Sequence, residues 1–135
     1  MGKIQVVDDD GQILILIADI LKCAGYEVFT SGDGVDALNQ FRIEGPDLLI
    51  TDLNMPRMDG YELCRNVRAL SCIPILIITG QVSGSADMNR AFQMGADSII
   101  RKPFDITELL AQVAALLAKN RTLEKELPKS SLFGD

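Results

Sequence analysis

Histidine is absent from this sequence, and its absence removes a large part of protein chemistry. Without an imidazole there is no Ser/His or Cys/His nucleophile, no histidine acid–base catalysis and almost none of the common zinc sites. A functional site in this chain is therefore expected to use carboxylate, hydroxyl and lysine side chains.

Basic residues are also scarce. The chain has 13 Lys and Arg against 19 Asp and Glu, which gives a net charge of -6. Because nucleic-acid affinity comes largely from clustered Lys and Arg, we expect no direct nucleic-acid partner. The acidic surplus instead favours a bound cation.

The chain has three cysteines and is long enough to do without disulfides. With 135 residues, 47% of them apolar, it can form one well-filled core as a single domain. Cys23, Cys64 and Cys72 are odd in number and lie inside apolar patterns. We interpret them as small buried hydrophobic residues.

No segment has the features of a membrane or export signal. Apolar runs stay short of the roughly 18 residues that a membrane span needs. The start MGKIQVV lacks the basic region, apolar run and cleavage site of a signal peptide. We expect a cytoplasmic protein that has no membrane partner.

Short apolar runs alternate with segments of helical periodicity. The pattern predicts strands at 3–7, 26–30, 47–51, 75–78 and 98–101, with a helix after each. It gives Leu16 and Phe92 helical spacing and places Val35 on an inward helix face. Because parallel strands need helical crossovers, the fold class is α/β, a five-stranded parallel sheet covered by helices on both faces.

Polar side chains follow four of the predicted strands. Asp8 and Asp9 follow the first strand, Asp52 the third, Thr79 the fourth and Lys102 the fifth. The carboxyl ends of parallel strands meet at one edge of a sheet, and neighbouring strands are about 4.8 Å apart. If these four strands are adjacent, their side chains share one pocket.

This set of side chains suits phosphoryl transfer. Three close carboxylates repel one another unless a cation lies among them, and oxygen ligands suit Mg²⁺ or Mn²⁺. Asp52 is then the candidate nucleophile, Lys102 neutralises charge on the transferred group, and Thr79 donates a hydrogen bond to the product.

A lone aspartate after a strand is more often a turn or helix cap. Asp10, Asp33, Asp59 and Asp105 fit that simpler interpretation, since each precedes a predicted helix. We interpret the acids that follow the strands as site residues instead, because a Thr and a Lys occupy the same position after two other strands.

Four motifs in order carry a family resemblance: VVDDD, LLITDLNMPRMDGYEL, PILIITG and GADSIIRKPF. Together they resemble the receiver domain of two-component response regulators over roughly residues 3–118. The resemblance implies a doubly wound, flavodoxin-like sheet with strand order 2-1-3-4-5. It also implies a regulatory phosphoacceptor at residues 1–118, which catalyses only its own phosphorylation and slow dephosphorylation.

The resemblance assigns a role to each site residue. Asp52 would accept a phosphoryl group from the phosphohistidine of a sensor histidine kinase or a phosphotransfer protein. Asp9, Asp52 and the backbone carbonyl of Asn54 would bind Mg²⁺. The other implied contacts are a water-mediated one from Asp8 to the metal and phosphoryl contacts from Thr79 and Lys102.

Near the lysine, the resemblance implies one peptide-bond geometry and shows one departure. The Lys102–Pro103 bond is expected to be cis, as family members commonly have it. Three residues before the lysine, where the family usually has Tyr or Phe, this chain has Ile99. We hypothesise that the signal is read through backbone shifts or a changed dimer. A folded Ile99→Ala variant that loses output or dimerisation would contradict this.

Residues 119–135 are expected to form a helical extension and tail, or the start of a linker to an output domain. A heptad stripe crosses into this segment, formed by Leu109, Val113, Leu116, Asn120, Leu123 and Leu127. Two interpretations stay open: a parallel homodimer through helix 5, or packing of the first part of the stripe on the sheet.

Three other functions fit the sequence less well. A haloacid-dehalogenase-like phosphatase needs a second acid two residues after the nucleophile, where this chain has Asn54. A receiver-like interaction module that is not phosphorylated usually lacks one of the acids or the lysine, and none is missing here. A flavin-binding flavodoxin would need a Ser/Thr-rich first loop, where this chain has DDDG.

Overall fold

A computed structural model describes residues 2–80 and 84–126 of the chain. Within them, five strands alternate with five helices, as predicted. The elements in order are β1 (Lys3–Val7), α1 (Gly11–Cys23), β2 (Glu27–Ser31), α2 (Gly34–Glu44), β3 (Leu48–Thr51), α3 (Gly60–Leu70), β4 (Ile75–Thr79), α4 (Ser85–Gln93), β5 (Ser98–Arg101) and α5 (Ile106–Glu126).

The strands form one parallel sheet in the order β2-β1-β3-β4-β5. This confirms the predicted doubly wound sheet and its strand order. In the register, Val7 pairs with Thr51, and Thr51 pairs with Ile77. The carboxyl ends of β1, β3 and β4 therefore lie at the same edge.

Each face of the sheet has its own apolar core. Every residue of β3 and β4 is buried, as expected for central strands covered on both faces. Leu49, Ile75 and Ile77 pack with side chains of α2, α3 and α4 on one face. Ile50 and Leu76 pack with α1 and α5 on the other. Burying each such side chain stabilises the fold by about 1.5–3 kcal/mol.

The predicted capping aspartates lie at the starts of their helices. Asp10, Asp33 and Asp59 cap α1, α2 and α3, and each accepts a hydrogen bond from a backbone N–H in the first turn. Asp105 Oδ1 accepts from Thr107 N at 2.8 Å at the start of α5. Such a cap contributes about 1 kcal/mol of helix stability.

The cysteine prediction was wrong for two of three residues. Cys64 is buried in α3, and burial raises the pKa of its thiol to about 12. Cys23 and Cys72 are exposed. Cys23 is the last residue of α1 and borders a shallow cleft toward α5, while Cys72 lies in the connection between α3 and β4.

Val35, which was predicted to face inward, is exposed instead, and so are two residues that follow the helical period, Leu16 and Phe92. Leu16 is 46% exposed, Val35 37% and Phe92 45%. The helices that carry them bury smaller residues against the sheet, namely Ala18, Ala37 and Ala91. The same helices α1 and α2 also bury Ile17, Leu21 and Phe41, so the helical period alone does not decide which apolar side chain meets the sheet.

The first part of α5 packs on the sheet, because Leu109, Val113 and Leu116 are buried in the core shared with α1. The helix continues to Glu126. The side chains of Asn120 and Leu123, and all of Leu127, lie outside the described residues, so the homodimer stays a prediction. None of the described helices is both long and apolar enough to cross a bilayer.

Candidate functional site

The strand ends bring the predicted site residues to one edge of the sheet. Asp8 directly follows β1, Asp52 follows β3, Thr79 ends β4, and Lys102 follows β5. Hydrogen bonds of the sheet continue past the strands, from Asp52 N to the Val7 carbonyl at 3.0 Å and from Lys102 N to the Thr79 carbonyl at 3.0 Å. These backbone hydrogen bonds therefore fix the Cα positions of Asp52 and Lys102.

Three carboxylates converge at this edge. One oxygen from each of Asp8, Asp9 and Asp52 lies within 4.8 Å of the other two. Asp8 is 2% exposed and Asp52 8% exposed, whereas Asp9 is exposed to solvent. Clustered hard oxygen ligands with one open side suit Mg²⁺ or Mn²⁺, so the residues present fit such an ion.

Lys102 joins two of these acids. Its Nζ lies 2.7 Å from Asp8 Oδ2 and 3.0 Å from Asp52 Oδ2. Burial alone would lower the pKa of Lys102, but hydrogen bonds and charge from the two carboxylates outweigh it and raise the pKa. The lysine therefore stays protonated and places a fixed positive charge beside the Asp52 carboxylate.

At Asp8, the effect of burial on the pKa is larger than the effect of its hydrogen-bond partners. Burial raises its pKa, and hydrogen bonds from Lys102 and from the backbone N–H of Asp10 offset only part of that effect. The Asp10 N–H donates to Asp8 Oδ1 at 2.9 Å. An ion near Asp8 would add a second positive charge beside its buried carboxylate, next to that of Lys102.

Backbone N–H donors orient Asp52, and they were not among the predicted site groups. Asp52 Oδ1 accepts from Leu53 N at 2.6 Å and from Asn54 N at 3.4 Å. The Thr51 hydroxyl donates to the Asp52 carbonyl at 2.9 Å. The run TDLN carried the signal, because an aspartate often bonds the backbone N–H groups that follow it in a turn.

Close packing holds the loop between β3 and α3 in place. Gly60 N donates to the Leu53 carbonyl at 2.8 Å. A Cβ at Gly60 would collide with the Asp52 carbonyl and lie 2.6 Å from Leu53 Cα. Further along the loop, Arg57 has φ 67° and pairs with Asp33, the cap of α2. The loop that presents Asp52 is therefore held by α2 and α3.

The remaining predicted positions are also located. Thr79 is fully buried at the end of β4. The Lys102–Pro103 bond is cis, which confirms that prediction. Ile99 is partly buried and packs against the core beneath α2, α3 and α4.

Comparison with known proteins places this geometry in a family. The protein-family model described as "Response regulator receiver domain" matches residues 4–114. A probable transcriptional regulator, ycf27, from Cyanophora paradoxa is 39% identical over 133 residues, which is 98% of this chain and 54% of that protein. The DNA-binding response regulator MtrA of Mycobacterium tuberculosis is 38% identical over 118 residues, 87% of this chain and 51% of that protein.

Solved structures agree with these relatives. The chemotaxis protein CheY4 of Vibrio cholerae superposes with a TM-score of 0.81 at 34% identity, over 86% of this chain and 98% of that one. A CheY-like receiver domain protein from Methanospirillum hungatei gives a TM-score of 0.86 at 28% identity, over 90% and 98%. The chain spans about half the length of the curated relatives it matches.

Proposed function

The chain belongs to the family of response regulator receiver domains, the regulatory domains of two-component systems, and from this we propose that it is a phosphorylation-activated switch whose acceptor is Asp52. The observation that supports this most directly is the contact of Lys102 Nζ with both Asp8 and Asp52, beside an exposed third acid. The donor would be the phosphohistidine of a sensor kinase or a phosphotransfer protein.

In the proposed reaction, an Asp52 carboxylate oxygen attacks phosphorus in line with the leaving group. An oxygen–phosphorus bond forms as the phosphorus–nitrogen bond of the donor breaks, and the imidazole leaves with the electron pair. The N–H groups of Leu53 and Asn54 hold the carboxylate, and Lys102 neutralises charge on the incoming group. Thr79 is proposed as a further hydrogen-bond donor to it.

Asp8, Asp9, Asp52 and the Asn54 carbonyl are the proposed holders of Mg²⁺. When bound, the ion would screen the negative charges of donor and acceptor from one another. The donor set of three close carboxylates supports this assignment, although Lys102 already balances one negative charge in the cluster.

Mg²⁺ dependence tests the function. Incubation with Mg²⁺ and a small acyl phosphate is expected to add one phosphoryl group, seen by intact-protein mass spectrometry. Hydroxylamine should remove the group, since an acyl phosphate is labile to it.

The same incubation with a chelator in excess should give at least a tenfold slower gain, because bringing an anionic donor to three carboxylates without a cation is unfavourable. Absence of any gain with Mg²⁺ would instead favour the alternative function, a receiver-like interaction module that is not phosphorylated.

We propose a division of the chain into two parts with different roles. Residues 1–118 would be the phosphoacceptor domain, and residues 119–135 an extension that links to an output part or contributes to a homodimer. Two of the relatives that are about twice as long carry the words "DNA-binding" or "transcriptional regulator" in their names. An output of that kind would act through residues beyond this domain.

A further inference from the structure

Helix α4 is the helix most lightly anchored beside the site. Among its described side chains, Ala91 is the one that is fully buried, and Phe92 is 45% exposed. Its N-cap, Gly84, offers no side-chain hydrogen bond to the first turn. By contrast, α3 buries Leu63, Cys64 and Val67 and is capped by Asp59. Elements with few buried contacts are the ones that shift most easily.

The start of α3 is tied to the acceptor. Gly60 N donates to the Leu53 carbonyl, and Gly60 leaves no room for a Cβ against the Asp52 backbone. Tyr61 is the next residue. Because Gly60 is held against the Asp52 loop, we expect a displacement of that loop to move the start of α3 and the Tyr61 ring with it.

One contact crosses from this ring to α4. The Arg90 guanidinium carbon lies 4.0 Å from the centroid of the Tyr61 ring, which is a cation–π stack. Beside it lies a cleft of about 250 Å³, lined by Leu53, Asn54, Asp59, Tyr61, Asp87 and Arg90. The cleft is lined by the Asp52 loop and by α4, and the stack joins α3 to α4 beside it.

We propose that the Arg90–Tyr61 stack couples the Asp52 loop to the position of α4, so that phosphorylation of Asp52 changes how firmly α4 is docked. The proposal rests on the phosphoacceptor function proposed above. Arg90 and Tyr61 are positioning residues, because they act through the two helices that carry them. Breaking the stack should therefore alter the response of α4 without removing the chemistry at Asp52, since the groups that contact the Asp52 carboxylate stay in place.

The test is hydrogen exchange of the α4 backbone amides, measured by mass spectrometry before and after loading with Mg²⁺ and a small acyl phosphate. In the native chain, loading is expected to change α4 exchange. In Arg90→Ala, α4 should exchange about two- to fivefold faster before loading, which is the range that an exposed cation–π contact supplies. Loading should then change it no further, although intact mass still shows phosphorylation.

Matched variants separate the stack from a loss of charge or bulk. Tyr61→Phe keeps the ring and should behave as the native chain, whereas Tyr61→Leu should behave as Arg90→Ala. The double variant should be no worse than either single variant, because one contact is lost in all three. A second cleft is lined by Tyr61, Arg65 and Arg90 among others. Arg65→Ala removes a positive charge from this cleft without changing a residue of α4 and should leave the response intact.

Each result decides between the two proposals. If the native chain is not phosphorylated, the proposed function fails. If the native chain is phosphorylated without a change in α4 exchange, the coupling is wrong and the function stands. The same holds if α4 of phosphorylated Arg90→Ala responds as it does in the native chain. An equal loss of response in Arg65→Ala would also overturn the coupling, since the effect would then follow charge alone.

Discussion

Replacing Asp52 by Asn is expected to abolish phosphoryl incorporation from an acyl phosphate donor, to below about a thousandth of the native rate, since an amide is a poor nucleophile at phosphorus. The substitution keeps the size of the side chain and leaves one oxygen to accept from Leu53 N. It removes one negative charge from the cluster, but Lys102 keeps its contact with Asp8. The fold should persist, so the loss would be chemical.

The measurement is intact-protein mass after incubation with Mg²⁺ and the donor, with a circular dichroism melt to check folding. Asp19→Asn is the matched control, because Asp19 is an exposed acid of α1 outside the cluster. It should gain the phosphoryl group at the native rate. Undiminished labelling of Asp52→Asn would move the acceptor to another residue and overturn the assignment.

Gly60→Ala should produce the largest structural effect. The added methyl group would meet the Asp52 carbonyl and Leu53 Cα, which are backbone atoms that cannot rotate away. Overpacking of this kind costs about 1–3 kcal/mol. Relief would come from shifting the loop, and a displacement of roughly 1 Å at reacting groups can slow a reaction about a hundredfold. We therefore expect a lower free energy of unfolding together with much slower phosphorylation.

Gly11→Ala is the matched control for this effect. Gly11 opens α1, and a Cβ there would meet nothing within 4 Å. Since alanine favours a helix over glycine, this variant should be neutral or stabilised by up to about 1 kcal/mol. Urea unfolding of both variants, with phosphorylation rates alongside, checks the pair. Equal behaviour of the two would show that the close approach at Gly60 is not needed.

The patterning of apolar residues was sufficient to predict the elements of this fold. The predicted strands at 3–7 and 98–101 match β1 and β5, and the one at 26–30 is shifted from β2 by one residue. Those at 47–51 and 75–78 differ from β3 and β4 by one residue at one end. Buried central strands are recognisable in a sequence as continuous apolar runs, because neither face of such a strand can be polar. The strand order came from the resemblance to receiver domains, and the structure confirms it.

Burial of single side chains was less predictable. Leu16, Val35 and Phe92 follow the helical period yet lie exposed, and Cys23 and Cys72 are exposed as well. The period indicates which side of a helix is apolar, but which residue touches the sheet depends on the angle at which the helix docks. That angle is set by neighbours distant in sequence.

By itself, then, the sequence determined the α/β class and the set of polar residues that end its strands, because both follow from local periodicity and chain order. Tertiary structure alone decided that Lys102 bonds Asp8 and Asp52, that Gly60 leaves no room beside the acceptor, and that Arg90 stacks on Tyr61. The Lys102 and Arg90 contacts join residues far apart along the chain. Their distances depend on how the helices pack against the sheet, which no local pattern encodes.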